Sequence, residues 1–144
     1  MGATASTVAI LGGKRVLGRN VSSERDLLPL IRSGLPHASL ESLMDTLDIS
    51  QETVAASLGL SKRMLARKKA QARLTADESD RLYRFARIAV RAVEVLGNKE
   101  KAGRWLRKPN RALGDEVPLS LLDTDLGARE VETILGRIEY GVYS

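Results

Sequence analysis

A long amphipathic segment between Thr75 and Gly97 constrains the fold of this chain more than any other feature. Thr75 and Glu78 have the T-x-x-E spacing of a capping box, which starts a helix, and Gly97 is suited to end one. Apolar residues recur along this segment at helical spacing and form one stripe: Leu82, Phe85, Ala86, Ala89, Val90, Val93 and Leu96. The sequence therefore predicts a mainly α-helical protein in which this helix joins the parts before and after it.

The composition excludes several kinds of function. Leu, Ala, Val and Ile dominate while aromatic residues make up only 3%, which favours helix packing. There is no cysteine, so no disulfide, thiolate metal site or thiol nucleophile can form. His37 is the single histidine and is expected to be structural, because no cluster of carboxylates accompanies it. We therefore predict no catalytic residue, no metal and no cofactor.

The hydropathy of the sequence indicates where in the cell the protein is expected. No apolar run reaches the roughly 18 residues that a membrane span needs. The first residues, Met1 to Thr7, lack the basic and apolar parts of a signal peptide. We therefore expect a cytoplasmic protein that does not contact a membrane.

Charge is distributed unevenly along the chain. Residues 1–60 carry 5 basic and 6 acidic side chains, residues 61–111 carry 16 and 5, and residues 112–144 carry 2 and 7. The middle segment has a net charge of +11, as expected of a surface that binds nucleic acid. Cationic side chains favour this binding because each phosphate that they neutralise releases counterions. A solvated charged surface is the alternative. The acidic end would be repelled by DNA, so we expect it to face a different partner.

Three regions can be distinguished along the chain. In residues 1–21, apolar residues flank Gly12-Gly13 and predict either a short N-terminal β-hairpin or a flexible tail. Residues 22–74 contain short helices whose starts are marked by Ser22-Ser23, Pro36, Ser50 and Ser61. Residues 75–144 contain the long helix and three shorter elements, which begin at Asn98, at Pro118 and after Asp125; Asp123 and Asp125 are interpreted as capping residues.

The second region has the spacing of a helix-turn-helix. Ala55 allows two helices to approach closely, Gly59 can adopt the left-handed conformation that ends the first helix, and Leu65 can fill the wedge between them. The second helix then presents candidate DNA-binding residues: Ser61, Lys62, Arg63, Arg67, Lys68 and Lys69. Arg63 and Arg67 are the candidates for guanine contacts, and the lysines are candidates for phosphate contacts.

Alternatives remain open in this part of the chain. Glycine falls between two short helices by chance in many helical proteins, and Lys68 stands where this motif often has an apolar residue. The arginines of the long helix form either a solvated surface or a second edge that contacts phosphates: Arg81, Arg84, Arg87 and Arg91.

The C-terminal third contains a specific set of residues: Ala102, Trp105-Leu106, Pro109-Asn110, Ala112-Leu113-Gly114, Pro118-Leu119, Leu121-Leu122-Asp123-Thr124, Gly127, Val131, Leu135, Ile138 and Gly141. With this set, residues 92–144 resemble the toxin-binding domain of Xre/MbcA/ParS-type antitoxins. The helix-turn-helix upstream extends the resemblance to most of the chain, although residues 1–21 match less distinctively. The resemblance implies a small C-terminal helical toxin-binding domain after a DNA-binding region.

The resemblance also implies a function. Such antitoxins belong to type II toxin-antitoxin systems and neutralise a RES-domain toxin, an enzyme that consumes NAD or transfers ADP-ribose from it. Their C-terminal end lies at the toxin's NAD pocket and blocks it. They also form homodimers and bind operator DNA, which represses their own operon. The alternative is a dimeric helix-turn-helix transcriptional regulator without a toxin partner.

On this interpretation, acidic and apolar residues near the end of the chain bind the toxin: Glu132, Glu139, Tyr140, Val142, Tyr143 and Ser144 with its free carboxylate. An acidic plug would compete for the cations and N–H groups of a pyrophosphate pocket. In the alternative, Tyr140 and Tyr143 pack on the domain's own helices. Trp105, the single tryptophan, is predicted to lie in the core.

Overall fold

The computed structural model describes residues 3–60 and 73–141 and confirms the mainly α-helical class. Within these ranges there is no β-strand, only isolated bridges that pair Pro36 with Arg73 and Asn110 with Glu116. The described residues form eight α-helices: α1 (Ala3–Ile10), α2 (Gly13–Leu17), α3 (Leu27–Ser33), α4 (His37–Leu47), α5 (Gln51–Leu58), α6 (Ala76–Leu96), α7 (Lys99–Arg107) and α8 (Asp125–Glu139). Short 3₁₀ turns occupy Glu24–Asp26, Arg111–Leu113 and Pro118–Leu121. None of the helices in these ranges is both long and apolar enough to cross a membrane.

Several helices begin at the capping residues that the sequence predicts, and each of these residues forms a local hydrogen bond. The hydroxyl of Thr75 accepts a hydrogen bond from the backbone N–H of Glu78, and the Glu78 carboxylate accepts one from the N–H of Thr75. Ser50 caps α5 and Asn98 caps α7 in the same way, each through a side-chain oxygen. These bonds join residues three apart, so they depend on local sequence alone and the helix starts are predictable.

The N-terminal prediction is wrong, because residues 3–17 form α1 and α2 rather than a hairpin or a flexible tail. Leu11 and Gly12 separate the two helices, and Gly12 and Gly13 have φ of +107° and +69°. Leu11 beside them is fully buried, and α1 packs against α6. A short apolar run is compatible with a strand or a helix, and a helix satisfies its backbone polar groups without a partner strand. Packing on α6 therefore selects the helical form.

A single hydrophobic cluster extends from Ile10 in α1 to Leu135 in α8. Helix α6 lies at its centre, where Leu82 and Phe85 have no exposed surface, and it contacts α1, α3, α5, α7 and α8. Helix α5 also contacts the 3₁₀ turn at Pro118–Leu121. The regions predicted as residues 22–74 and 75–144 consequently share one core and pack directly against each other.

The start of α8 differs in detail from the expectation that Asp123 and Asp125 are the caps. Thr124 is the capping residue, and its hydroxyl accepts a hydrogen bond of 3.0 Å from the N–H of Gly127. Gly127 is buried against the preceding turn, where a β-carbon would lie 2.0 Å from the carbonyl oxygen of Leu121. The absence of a side chain at Gly127 therefore sets the distance between α8 and this turn.

Replacing Gly127 by alanine should destabilise the protein, because the added methyl group would overlap the Leu121 carbonyl. We expect the free energy of unfolding, measured with urea, to fall by about 2 kcal/mol or more. Gly136 in the same helix is the matched control, since an added β-carbon there would have no neighbour within 4 Å outside the backbone of its own helix. Gly136→Ala should raise the free energy of unfolding by about 0.5–1 kcal/mol. Equal effects of the two substitutions would contradict the close approach at Gly127.

Candidate functional site

The first half of the predicted helix-turn-helix is present in the described residues. Helix α5 buries Val54 and Leu58 completely, and Gly59 ends it in the left-handed conformation with φ +65°. The N–H of Leu60 returns to the carbonyl of Ala55, and Leu60 is itself buried. The second half of the motif lies outside the described residues, and with it all the predicted DNA-binding residues: Ser61, Lys62, Arg63, Arg67, Lys68 and Lys69.

The chain that follows this segment is anchored to the turn between α3 and α4. Leu74 donates its N–H to the carbonyl of Leu35 at 2.9 Å, and the Arg73 guanidinium donates to the carbonyl of Gly34 at 2.9 Å. The N–H of Leu35 donates in turn to the buried hydroxyl of Ser79 at 2.7 Å. Both ends of the segment 61–72 are thus attached to the core, at Leu60 and at Leu74.

The arginines of α6 are used inside the fold, which is neither of the alternatives that the sequence left open. Arg81 donates to the carbonyl of Leu58 at the C-terminal end of α5, at 3.1 Å. Arg84 donates to the carbonyl of Leu122 at 3.3 Å. The other two arginines form ion pairs with α8, described next. These arginines therefore connect the helix-turn-helix region to the C-terminal region.

Two of the predicted toxin-binding residues are engaged in these ion pairs. Arg87 contacts Glu132 at 3.1 Å, and Arg91 contacts Glu139 through two hydrogen bonds, one of 3.0 Å. The Arg91 hydrogen bond lowers the pKa of Glu139, and Glu139 raises the pKa of Arg91. Neither carboxylate is a free group in this structure, because each binds a guanidinium of α6.

Of the remaining predicted toxin-binding residues, the structure describes Tyr140. Tyr140 is 79% exposed, so the alternative in which it packs on the domain's own helices is wrong. Val142, Tyr143 and Ser144 lie outside the described residues. Tyr140 is therefore the one residue of the predicted set whose side chain the structure describes as largely open to solvent.

A residue that the sequence reasoning missed lies on the same helix face as Tyr140. Leu126 is 68% exposed, and it and Tyr140 are the two exposed large apolar side chains of the described chain. Their separation of fourteen residues places them on one side of α8, about 21 Å apart at 1.5 Å per residue. We call this side the outer face of α8, which comprises Leu126, Glu130, Thr133, Arg137 and Tyr140. An apolar residue within an otherwise polar stripe was the signal that could have identified Leu126.

The opposite side of α8 forms part of the core. Val131 and Leu135 have no exposed surface, Ile134 is buried, and Ile138 is partly buried, as the periodicity predicts. The apolar residues Leu126 and Tyr140 are therefore not needed to hold α8 in place. Both side chains are therefore available for contact with another molecule.

The tryptophan and the histidine have structural positions. Trp105 is partly buried and packs against the core, as expected. His37 is buried, with Nδ1 3.5 Å from the Glu41 carboxylate. No group of three His, Cys, Asp or Glu residues within the described ranges is arranged to hold a metal ion.

Two family models match this chain. Residues 26–87 match the family described as the antitoxin Xre-like helix-turn-helix domain. Residues 91–141 match the antitoxin Xre/MbcA/ParS C-terminal toxin-binding domain. The outer face of α8 lies within this second match.

Curated relatives extend the similarity over most of the chain. Antitoxin Xre of Photorhabdus laumondii is 34% identical over 132 residues, which cover 90% of this chain and 89% of the relative. Antitoxin Xre of Yersinia enterocolitica has the same identity and coverage. The Prs ADP-ribosylating antitoxin of a Sphingobium species is 25% identical over 133 residues, 85% of this chain and 84% of the relative.

The ion pair between Arg91 and Glu139 should make stability depend on pH. Because the folded pKa of Glu139 lies below its usual value of 4.5, this group stabilises the folded state above that value and loses the effect as the pH falls through the folded pKa. Glu139→Gln should therefore lower the urea midpoint at pH 7, and its difference from wild type should disappear in acid. Glu130→Gln, on the outer face of the same helix, is the control and should change little. The same pH dependence in both variants would exclude a specific role for the pair.

Proposed function

Because this chain belongs to the Xre family of antitoxins, we propose that it neutralises a RES-domain toxin that consumes NAD. The C-terminal domain would occlude the active site of that enzyme and would perform no chemistry of its own. The same protein, as a homodimer, would bind operator DNA and repress its own operon.

The outer face of α8 is the observation that carries the toxin-binding part of the proposal. Leu126 and Tyr140 expose apolar surface at the two ends of a helix inside the region that matches a toxin-binding domain. In protein–protein contacts a few residues supply most of the binding energy, and tyrosine is enriched among them. The polar residues between them, Glu130, Thr133 and Arg137, would form hydrogen bonds around the anchors.

Tyr140 also supports occlusion as the mechanism. It follows the last residue of α8 and precedes Val142, Tyr143 and Ser144 in the sequence. If Tyr140 binds the toxin, it would therefore determine where these last residues meet the toxin surface. Glu132 and Glu139 would reach the toxin only if their ion pairs with Arg87 and Arg91 opened. We therefore assign occlusion mainly to the residues from Tyr140 onward, and assign to the two glutamates the positioning of α8.

The choice of an NAD-consuming toxin rests on chemistry and on one relative. The name of the Sphingobium relative refers to ADP-ribosylation, a reaction in which NAD donates the ADP-ribose group. A pocket for the NAD pyrophosphate offers cations and N–H groups. Residues 112–144 have a net charge of −5, with 2 basic and 7 acidic side chains, and are therefore complementary in charge to such a pocket.

The helix-turn-helix supports the DNA-binding part of the proposal. Helix α5 and the turn at Gly59 have the form that this motif requires, and residues 26–87 match an antitoxin helix-turn-helix family. Two recognition helices must meet half-sites about one DNA turn apart, which favours a homodimer.

Polar substitutions on the outer face of α8 should weaken toxin binding without affecting the fold. We expect Leu126→Gln combined with Tyr140→Gln to weaken binding by about tenfold or more, because anchor residues each contribute more than about 1 kcal/mol. The measurement is titration of the full chain against the toxin encoded by the adjacent gene. Ala5→Gln, an exposed substitution on α1, is the control and should bind as wild type. Wild-type affinity in the double variant would exclude this face as the contact.

Reversing the charge of Arg63 and Arg67 should abolish binding to the operator and spare neutralisation of the toxin. Each arginine is assigned to guanine recognition, and each lost contact should cost about 1–3 kcal/mol. DNA binding is measured by anisotropy at moderate salt, and neutralisation by growth and cellular NAD on co-expression with the toxin. If the double variant still bound its operator, the recognition helix would have been assigned wrongly.

A helix-turn-helix regulator without a toxin partner is the second candidate, and the match over residues 26–87 is compatible with it. This candidate requires that removal of Tyr140 to Ser144 leave all activity intact. The proposed antitoxin requires that the same truncation, if it remains folded and binds DNA, lose the ability to restore growth and NAD. Co-expression with the adjacent gene product separates the two.

A further inference from the structure

The side chains on the outer face of α8 are arranged symmetrically about the middle of the helix. Leu126 and Tyr140 lie seven residues before and seven residues after Thr133. Glu130 lies three residues before Thr133, and Arg137 lies four residues after it. All five residues are exposed. Each half of the face therefore presents one large apolar side chain and one charged side chain, and the two charges have opposite sign.

The fold does not use the charges of Glu130 and Arg137. Neither side chain has an ion pair or a hydrogen bond with any residue in the ranges 3–60 and 73–141. They cannot pair with each other, because a separation of seven residues is about 10.5 Å along a helix and an ion pair needs about 4 Å. Arg129, at the edge of the same face, is by contrast paired with Asp125 at 2.8 Å.

The middle of the face allows close approach of another helix. The hydroxyl of Thr133 donates to the carbonyl of Arg129 at 2.9 Å, so Thr133 needs no further polar partner when it is covered. A β-carbon at Gly136 would have no neighbour within 4 Å outside the backbone of its own helix. Glycine destabilises a helix relative to alanine, and the packing of the described chain does not require it here. The two small residues leave a shallow depression between Leu126 and Tyr140.

The spacing along this side of α8 is that of a helix-packing seam. Leu126, Arg129, Thr133, Gly136 and Tyr140 stand at i, i+3, i+7, i+10 and i+14. These intervals of three and four residues bring side chains to the line along which two helices pack together. The expected partner of the face is therefore another helix that lies along α8.

The charges of the face identify a helix that complements it, namely α8 of a second copy. In an antiparallel arrangement about a two-fold axis near Thr133, Glu130 lies opposite Arg137 of the other copy, and Arg137 lies opposite its Glu130. Leu126 then lies opposite Tyr140 of the other copy. A parallel arrangement would place Glu130 opposite Glu130 and Arg137 opposite Arg137, and both pairs would repel. The charges therefore select the antiparallel arrangement.

We propose that two copies of this chain associate through the outer faces of their α8 helices, packed antiparallel about a two-fold axis near Thr133. The proposed function includes a homodimer but assigns no contact to it, and this face supplies one. A two-fold axis uses the same face of both copies and makes every contact twice. The inference rests on the proposed function in one respect: the toxin is assigned to the same face, so the toxin and a second copy exclude each other.

The size of the contact makes this association weak. Apart from Leu126 and Tyr140, the face offers no large apolar side chain. One pair of fifteen-residue helices buries less surface than the roughly 1,200 Å² at which stable interfaces begin. We therefore expect a reversible dimer with a dissociation constant in the micromolar range, from which a tightly binding toxin displaces the second copy.

The test is sedimentation equilibrium of the full chain without toxin, with charge-reversal variants of the face. The two single variants are Glu130→Arg and Arg137→Glu. Each places like charges opposite each other at both ends of the contact, so we expect each to weaken self-association by about tenfold or more. Glu100→Arg is the control, because it makes the same change of charge as Glu130→Arg at an exposed position of α7. It should associate as wild type.

A mixture of the two single variants separates specific pairing from a general effect of charge. One variant has two bases on the face and the other has two acids, so the antiparallel contact between them is again complementary. We expect the mixture to associate at least as well as wild type, although each variant alone does not. A mixture that stays as weakly associated as the single variants would overturn the proposal, as would self-association that the two substitutions leave unchanged.

Crosslinking locates the two-fold axis without altering any charge. The chain has no cysteine, so a single substitution introduces the only thiol. Thr133→Cys lies beside the axis and should form a disulfide-linked dimer on mild oxidation, whereas Ser120→Cys, at an exposed position before α8, should not. Excess toxin should suppress the crosslink at position 133. Equal crosslinking of the two variants would overturn the axis, and a crosslink that toxin leaves unchanged would overturn the shared use of the face.

The inference and the proposed function can fail separately. Self-association is measured without toxin, whereas the proposed function is tested by titration of toxin with the Leu126→Gln, Tyr140→Gln variant. A chain that remains monomeric at all concentrations but loses toxin affinity in that variant would overturn the inference and leave the proposed function intact. In that case a helix of the toxin, rather than a second copy, occupies the seam.

Discussion

Burial of helix α6 against five other helices is the constraint on which the rest of the structure depends. Phe85 and Leu82 are fully enclosed, and the small residues Ala86, Ala89 and Ala92 allow neighbouring helices to approach closely. A helix enclosed in this way cannot move without disturbing both the region before it and the region after it. The DNA-binding motif and the toxin-binding domain therefore share one core, although different parts of the sequence encode them.

The exposed parts of α6 connect the same two regions by polar contacts. Arg81 binds the end of α5, whereas Arg87 and Arg91 bind carboxylates of α8. Surface ion pairs contribute little to stability individually, and these two are only partly buried. Burial of Val131 and Leu135 turns one side of α8 toward the core, and the ion pairs lie beside it, which leaves Leu126 and Tyr140 on the other side. The exposure of Leu126 and Tyr140 is thus a consequence of which side of α8 the core buries.

The fold pairs some charged side chains of each sequence segment within the protein and leaves others exposed. The basic middle segment suggested one nucleic-acid surface, but among the described residues several of its arginines donate hydrogen bonds within the protein, while Lys101 and Arg104 of α7 remain exposed. The acidic end is divided in the same manner, since Glu132 and Glu139 bind arginines while Glu130 remains exposed. Net charge per segment therefore does not identify which charged side chains the fold leaves exposed.

The sequence by itself determined the helical class, the helix starts at Ser50, Thr75 and Asn98, and the turn at Gly59, because capping bonds and left-handed glycines involve residues only a few positions apart. The resemblance in the C-terminal third identified the family. Only the tertiary structure decided that residues 3–17 are helical, that Glu132 and Glu139 are paired, and that Leu126 is exposed. The glutamates and their arginine partners are 45 and 48 residues apart in sequence. No local pattern encodes such contacts, because they arise only when the core brings distant helices together.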